Sequence, residues 1–186
     1  MPARVQIQLE PAHESEMPSR SSAQSKPDGS FQMLGVLDGD YALRVYGMEQ
    51  GWYVKSARLG GEDALQKGLQ VEKGSFSGTL EIVLSSSGAQ LEGTVTDNDK
   101  PAGGAEVLAK PEPETPYNRM RSKSTTTDQN GHFTFRTLPP GKYRVTAKLA
   151  SASPDTLATA SEPKVVTLGE RDHQTLQLTL ATPQSE

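Results

Sequence analysis

The stretch TDQNGHFTFRTLPPGKYRVTA, Thr127 to Ala147, decides how this chain folds. Phe133 and Phe135, then Tyr143, Val145 and Ala147, alternate with polar neighbours, the period-2 signature of half-buried antiparallel strands. The cluster Asp128-x-Asn130-Gly131 ahead of them admits two readings, a cation-binding loop or the corner of a sheet. In the EF-hand register Thr126, Asp128 and Asn130 take ligand positions and Gly131 the glycine position, but the closing position is Thr137, where a bidentate Glu is needed. The sheet corner is therefore expected. Asp128 closes an Asx-turn, Gly131 supplies a positive φ, and Pro139-Pro140 stiffens the crossing between strands. Phe133, Phe135 and Tyr143 should face the interior, with the Tyr143 hydroxyl bonded to backbone as in a tyrosine corner.

The stretch has an echo. Asp28 to Tyr41 falls without gaps on Asn130 to Tyr143, matching Gly29 with Gly131, Phe31 with Phe133, Gly39 with Gly141 and Tyr41 with Tyr143. Val5 to Pro11 resembles Ala105 to Pro111, and Thr79 to Leu84 resembles Thr175 to Leu180. Two glycines and two aromatics at one spacing point to an internal duplication with a period of about 100 residues. Alternation continues in Leu80/Ile82/Leu84, Leu91/Gly93/Val95 and Leu176/Leu178/Leu180, while the only helical candidate, Gly61 to Gly68, is a turn or two long. Turn dipeptides between these runs complete an all-β sandwich pattern.

Ser85-Ser86-Ser87-Gly88 is small and polar, so the linker is placed there, giving domains 1–86 and 87–186. The second copy opens with a strand, Ala89 to Thr96, and the turn Asp97 to Pro101; the first starts at the counterpart of the strand after that. A missing first strand would leave an open sheet edge. The expectation is that another segment covers it, or that the chain is part of a longer protein.

Four blocks carry a resemblance: Leu91-Glu92-Gly93-Thr94-Val95-Thr96-Asp97, Lys100 to Val107, Thr127 to Phe133, and Leu138-Pro139-Pro140-Gly141-Lys142-Tyr143. In this order they resemble the carboxypeptidase regulatory-like domain, whose pattern is G-x-V-x-D, P-x-x-G-A-x-V, T-D-x-x-G-x-F and L-P-P-G-x-Y. The match spans Gly88 to Ala181; the first copy carries the last two blocks more weakly, with Leu37-Asp38 in place of Pro139-Pro140. The resemblance implies two tandem transthyretin-like Greek-key β-sandwiches, related to Cna-B-type repeats. It also implies a non-catalytic module of a secreted or cell-envelope protein, its leader not in this chain, whose partners are other domains of a longer parent or another envelope protein. An isopeptide bond of the Cna-B kind needs a Lys that Ala89 to Val95 does not contain.

Composition narrows the function further. Of 186 residues 33% are hydrophobic and 5% aromatic, which suits thin sandwiches better than one large enzyme core. A net charge of -4 with interspersed signs, and no basic run beyond Arg119 to Lys123, excludes the footprint of a nucleic-acid binder. No stretch approaches the ~18 apolar residues of a transmembrane helix, and Met1 to Gln8 is too short and polar for a leader. The absence of cysteine removes disulfides and thiolate chemistry. His13, His132 and His173 stand in no metal or catalytic spacing, and the ending Thr182 to Glu186 lacks the Tyr-Arg-Gly-Ser tail of transthyretin-like hydrolases. No cofactor and no catalytic residue is expected. The alternative function is a carbohydrate-binding accessory module, with Trp52, Tyr53 and Tyr46 as the polysaccharide-stacking rings. Since Trp52 and Tyr53 are neighbours on a strand, one should face in and the other out.

Overall fold

The computed structural model describes residues 4–13, 21–72, 78–149 and 159–181. The tail read above for a hydrolase motif, 182–186, lies outside them. The chain divides into two compact units, one of residues 1–86 with 115–119, the other of 87–114 with 120–186.

In the first unit β1 (Gln6–Pro11), β2 (Ser21–Gln24), β3 (Gly39–Tyr46) and β6 (Leu69–Val71) form one antiparallel sheet in the order β2-β1-β3-β6. A second sheet, β5-β4-β7, is built from β4 (Tyr53–Leu59), β5 (Glu62–Asp63) and β7 (Leu80–Ser85). The Gly61 to Gly68 segment yields a single helical turn, α1 (Ala64–Lys67), capped by the Asp63 carboxylate on the amides of Leu65 and Gln66. Ile7, Leu9, Tyr41, Leu69 and Val71 anchor the core.

The second unit has seven principal strands: β8 (Ala89–Asp97), β10 (Glu106–Pro111), β11 (Lys123–Thr126), β12 (His132–Leu138), β13 (Gly141–Leu149), β15 (Lys164–Leu168) and β16 (His173–Leu180). Two short pieces, β9 (Lys100–Pro101) and β14 (Thr159–Ala160), extend the edges. One sheet runs β11-β10-β13 with β14 and β15 on the far side of β13; the other runs β12-β8-β16. The alternation read from the sequence is realised. Ala89, Leu91, Gly93 and Val95 on β8, Phe133 and Phe135 on β12, and Tyr143, Val145 and Ala147 on β13 are buried, with polar residues between them. Phe133 and Phe135 meet edge to face, ring centroids 5.9 Å apart, a geometry favoured by the ring quadrupole.

Local bonds of the second unit recur in the first. Tyr143 Oη donates to the Pro139 carbonyl at 2.8 Å, and Tyr41 Oη to the Leu37 carbonyl at 2.9 Å. Thr127 Oγ1 accepts from the Ala105 amide, and Ser25 Oγ from the Val5 amide. The backbone pairs Thr127/Ala105 and Ser25/Val5, Glu112/Lys142 and Ala12/Asp40 are likewise equivalent. Gly131 and Gly29 both have positive φ, 74° and 83°, as the turn requires.

One element differs. Residues 31–37, which take in most of the stretch aligned with β12, carry no strand. In the second unit β12 is held by β8 alone, through Phe133↔Gly93, Phe135↔Leu91 and Leu138↔Ala89. The first unit has no counterpart of β8 among its described strands, so this segment finds no ladder. Its β7, the counterpart of β16, pairs with β4 instead, from Tyr53↔Ser85 to Leu59↔Leu80.

Candidate functional site

The loop that raised the cation question is occupied with its own backbone. Asp128 Oδ1 accepts from the Asn130 amide at 2.8 Å and the His132 amide at 2.9 Å, closing the expected Asx-turn. Its other oxygen, Oδ2, lies 3.6 Å from His132 Nδ1. The His132 amide bond, with smaller help from the Asn130 amide and the His132 side chain, holds the Asp128 carboxyl below the usual Asp range. Among the described residues no three His, Asp or Glu groups converge as metal ligands would. In the first unit Asp28 does similar work, accepting from the amide and hydroxyl of Ser30, and its carboxyl is lowered by those bonds.

A testable consequence follows from the sign. A folded-state pKa depressed below the unfolded value contributes stability that is present above the unfolded pKa and disappears as pH falls through the folded one. Both aspartates are on the surface, so the expected effect is local. In an NMR titration the Asp128 carboxyl should reach its midpoint below the ordinary Asp value, near 3.8, with the Asn130 and His132 amide shifts moving in step. Amides that ignore the carboxyl titration would contradict the turn.

The three rings named for a polysaccharide do not share one exposed face. Tyr53 is only 4% exposed and offers no ring face to a sugar. Tyr46 is 43% exposed, its hydroxyl 3.4 Å from Glu10 Oε1. Trp52 is half-buried and lines a cavity inside the first unit. Tyr53 points inward, but Trp52 precedes β4 and is itself half-buried, so the expected pairing of one ring in with one ring out does not hold.

That cavity is one of the concave features of the first unit. It has a volume of about 380 Å³, with Val5, Ile7, Phe31, Trp52, Ile82 and Leu84 as its apolar walls and Arg4, Lys26 and Asp28 among its polar residues. The segment 31–37, which reaches the cavity at Phe31, has its apolar residues incompletely covered. Phe31 and Met33 are only partly buried where their counterparts Phe133 and Phe135 are buried, and Leu34 and Leu37 are 77% and 60% exposed. The sequence carried a hint of this, because Phe31-Gln32-Met33-Leu34-Gly35-Val36-Leu37 breaks strict alternation at Leu34.

With both sheets of the second unit, its turn and its corner tyrosine in place, the comparison with protein families is direct: the model described as the carboxypeptidase regulatory-like domain matches residues 90–181. Residues 90–181 are a carboxypeptidase regulatory-like domain. In this regulatory-like domain the motif residues have visible structural tasks. Thr127 Oγ1 donates to the Ala102 carbonyl while accepting from the Ala105 amide, which ties the loop before β10 to the strand end at Thr126. Gly93 lets β8 pass close beneath Leu176 and Phe133, where no Cβ fits.

Among solved structures, the chain is similar to a Pseudomonas aeruginosa protein described provisionally as carbohydrate binding, at 21% identity over 50% of this chain and 88% of that one, TM-score 0.38. It is also similar to the minor pilin of Streptococcus agalactiae, at 13% identity over 100% of this chain and 87% of that one, TM-score 0.39. A variant of the major pilin subunit of Bacillus cereus matches at 13% identity over 97% of this chain and 60% of that one, TM-score 0.39. These are β-rich likenesses too distant for any role to transfer. No curated protein sequence matches the chain significantly.

Proposed function

We propose that the chain is a non-catalytic structural and interaction module of a secreted or cell-envelope protein. On this reading it holds two tandem regulatory-like sandwiches, residues 1–86 and 87–186, the first with no β8 counterpart among its described strands, and acts as a spacer or protein-binding unit. The observation that carries the proposal is where the motif's polar groups go. The Thr127 hydroxyl, the Asp128 carboxylate and the Tyr143 hydroxyl are each bonded to backbone of their own sandwich. Side chains held in this way brace a scaffold, and an activated nucleophile or base would instead have to face substrate. The recurrence of the same bonds at Ser25 and Tyr41 supports the two-copy reading. A carbohydrate-binding accessory role is the alternative, resting on Trp52 and Tyr46 now that Tyr53 is enclosed.

The test is turnover. The full chain, incubated near neutral pH with panels of chromogenic esters, peptides and glycosides, with and without divalent cations, is expected to give rates equal to the buffer blank. Sustained turnover that co-purifies with the protein would overturn the non-catalytic reading.

A further inference from the structure

The corner that leads into β12 carries a reactive pair. The chain has three asparagines, Asn98, Asn118 and Asn130, and only Asn130 is followed by glycine. Glycine has no Cβ to shield its amide nitrogen, so that nitrogen reaches the preceding asparagine side chain more readily than the nitrogen of a bulkier residue does. The other two asparagines are engaged. Asn98 Nδ2 donates to Asp97 Oδ1 at 3.0 Å, and Asn118, 1% exposed, accepts from the Thr115 amide at 2.8 Å. Asn130 is exposed, whereas Gly131 is buried. In the closed corner the Gly131 amide donates to the Asp128 carbonyl at 2.9 Å, and the Gly131 carbonyl accepts from the Val95 amide at 2.8 Å. A Cβ on Gly131 would meet the Val95 carbonyl oxygen at 2.5 Å and the Ala102 amide nitrogen at 3.1 Å. The nitrogen that would react is therefore already bonded, and its residue is wedged against the end of β8.

We propose that Asn130 is a modification site gated by this corner: succinimide formation with Gly131 is blocked while the corner is closed and proceeds when it opens, leaving a permanent mark in chains that have opened. The Gly131 nitrogen, once hydroxide has taken its proton, bonds to Asn130 Cγ. The Cγ–Nδ2 bond breaks, and the side-chain nitrogen takes a proton from water and leaves as ammonia. Water then opens the five-membered ring at either carbonyl. Cleavage at Cγ restores the main chain with aspartate in place of asparagine. Cleavage at the α-carbonyl routes the main chain through the side chain as isoaspartate, one carbon longer. The longer chain cannot keep both the Asp128–Gly131 bond and the Gly131–Val95 bond, because Gly131 has no space to move into. The first unit supplies the contrast. Its corner closes in the same way, the Gly29 amide donating to the Lys26 carbonyl at 2.9 Å, but an aspartate, Asp28, precedes the glycine. An ionised carboxylate is a poor electrophile, so that corner is spared even though a Cβ on Gly29 would meet nothing within 4 Å.

The test follows the full chain at mildly alkaline pH, with and without urea, by peptide mapping. Each conversion adds about 1 Da, and fragmentation separates isoaspartate from aspartate. Conversion at Asn130 is expected to run about tenfold or more slower in the folded protein than in urea, with Asp28 unchanged in both. Asp128→Ala, which removes the acceptor of the Asn130 and His132 amides, should speed conversion about fivefold in buffer and leave the rate in urea unchanged. Asp128→Asn, whose side-chain oxygen still accepts, should stay within about twofold of the parent, and circular dichroism checks that both variants are folded. The separated isoaspartate fraction should exchange the Val95 amide about tenfold faster than the parent. Equal rates in buffer and urea, or an unchanged rate in folded Asp128→Ala, would overturn the gate. First conversion at Asn98 or Asn118 in urea would overturn the site, and parental exchange at Val95 in the isoaspartate fraction would overturn the mark. None of these failures would produce turnover, so they leave the non-catalytic reading to its own test.

Discussion

Gly93→Ala is expected to destabilise the second unit by about 3 kcal/mol or more, the upper end of what overpacking costs. Alanine in place of glycine in an open strand would normally help, by roughly 0.5–1 kcal/mol, because the unfolded chain loses freedom. Here the sign reverses for reasons of space. A Cβ on Gly93 would overlap the Leu176 carbonyl oxygen and come within 2.8 Å of Phe133 Cζ. A carbonyl in a strand ladder cannot swing aside as a flexible side chain can, so either β8 moves off β16 or the parallel register from His173↔Gln90 to Leu180↔Asp97 breaks. Denaturant unfolding followed by circular dichroism should show the loss, with faster amide exchange along β8, β12 and β16. A stability change smaller than about 1 kcal/mol would mean that β8 does not pass where described.

The second large effect is a contrast between counterparts. Leu178 is 1% exposed at the centre of the second core, and Leu178→Ala should cost about 2–5 kcal/mol, the transfer term plus a residual cavity. Ile82 occupies the same place in the sequence pattern but is only partly buried and borders the cavity. Ile82→Ala should therefore cost less than about 2 kcal/mol, since part of its surface is already in water and no closed cavity forms. Paired thermal or urea unfolding of the two variants decides it. Equal losses would mean that the cavity beside Ile82 is closed in solution.

How far the sequence reached depended on the range of the interaction. The tyrosine corner and the Asx-turn were legible because their partners are close in the chain: Tyr143 reaches Pro139 and Asp128 reaches Asn130 and His132. The inward set Phe133, Phe135, Tyr143 and Val145 was legible because a pleated strand alternates its faces whatever it pairs with. Residues 31–37 were less legible. Their glycine and aromatic spacing matches β12, yet they form no strand, because β structure needs a neighbour and local propensity alone does not hold it.

The candidate site was the least legible part. Trp52, Tyr53 and Tyr46 were read as one group from their closeness in sequence, but burial separates them. Tyr53 starts β4 opposite Ser85, with its ring enclosed, while Trp52 precedes the strand and turns toward Phe31, Ile82 and Leu84. Nothing in the order of these residues says that β4 pairs with β7, a partnership spanning more than a score of residues.

The sequence by itself determined the all-β class, the Gly-x-Phe and Gly-x-Tyr framework and the family of residues 90–181, since these follow from alternation, turn chemistry and short-range bonds. Only the tertiary structure decided which ring is sealed and which strand lies between which. Those features depend on what occupies the far side of each ladder, and backbone N–H and C=O groups accept any extended partner that fits the space.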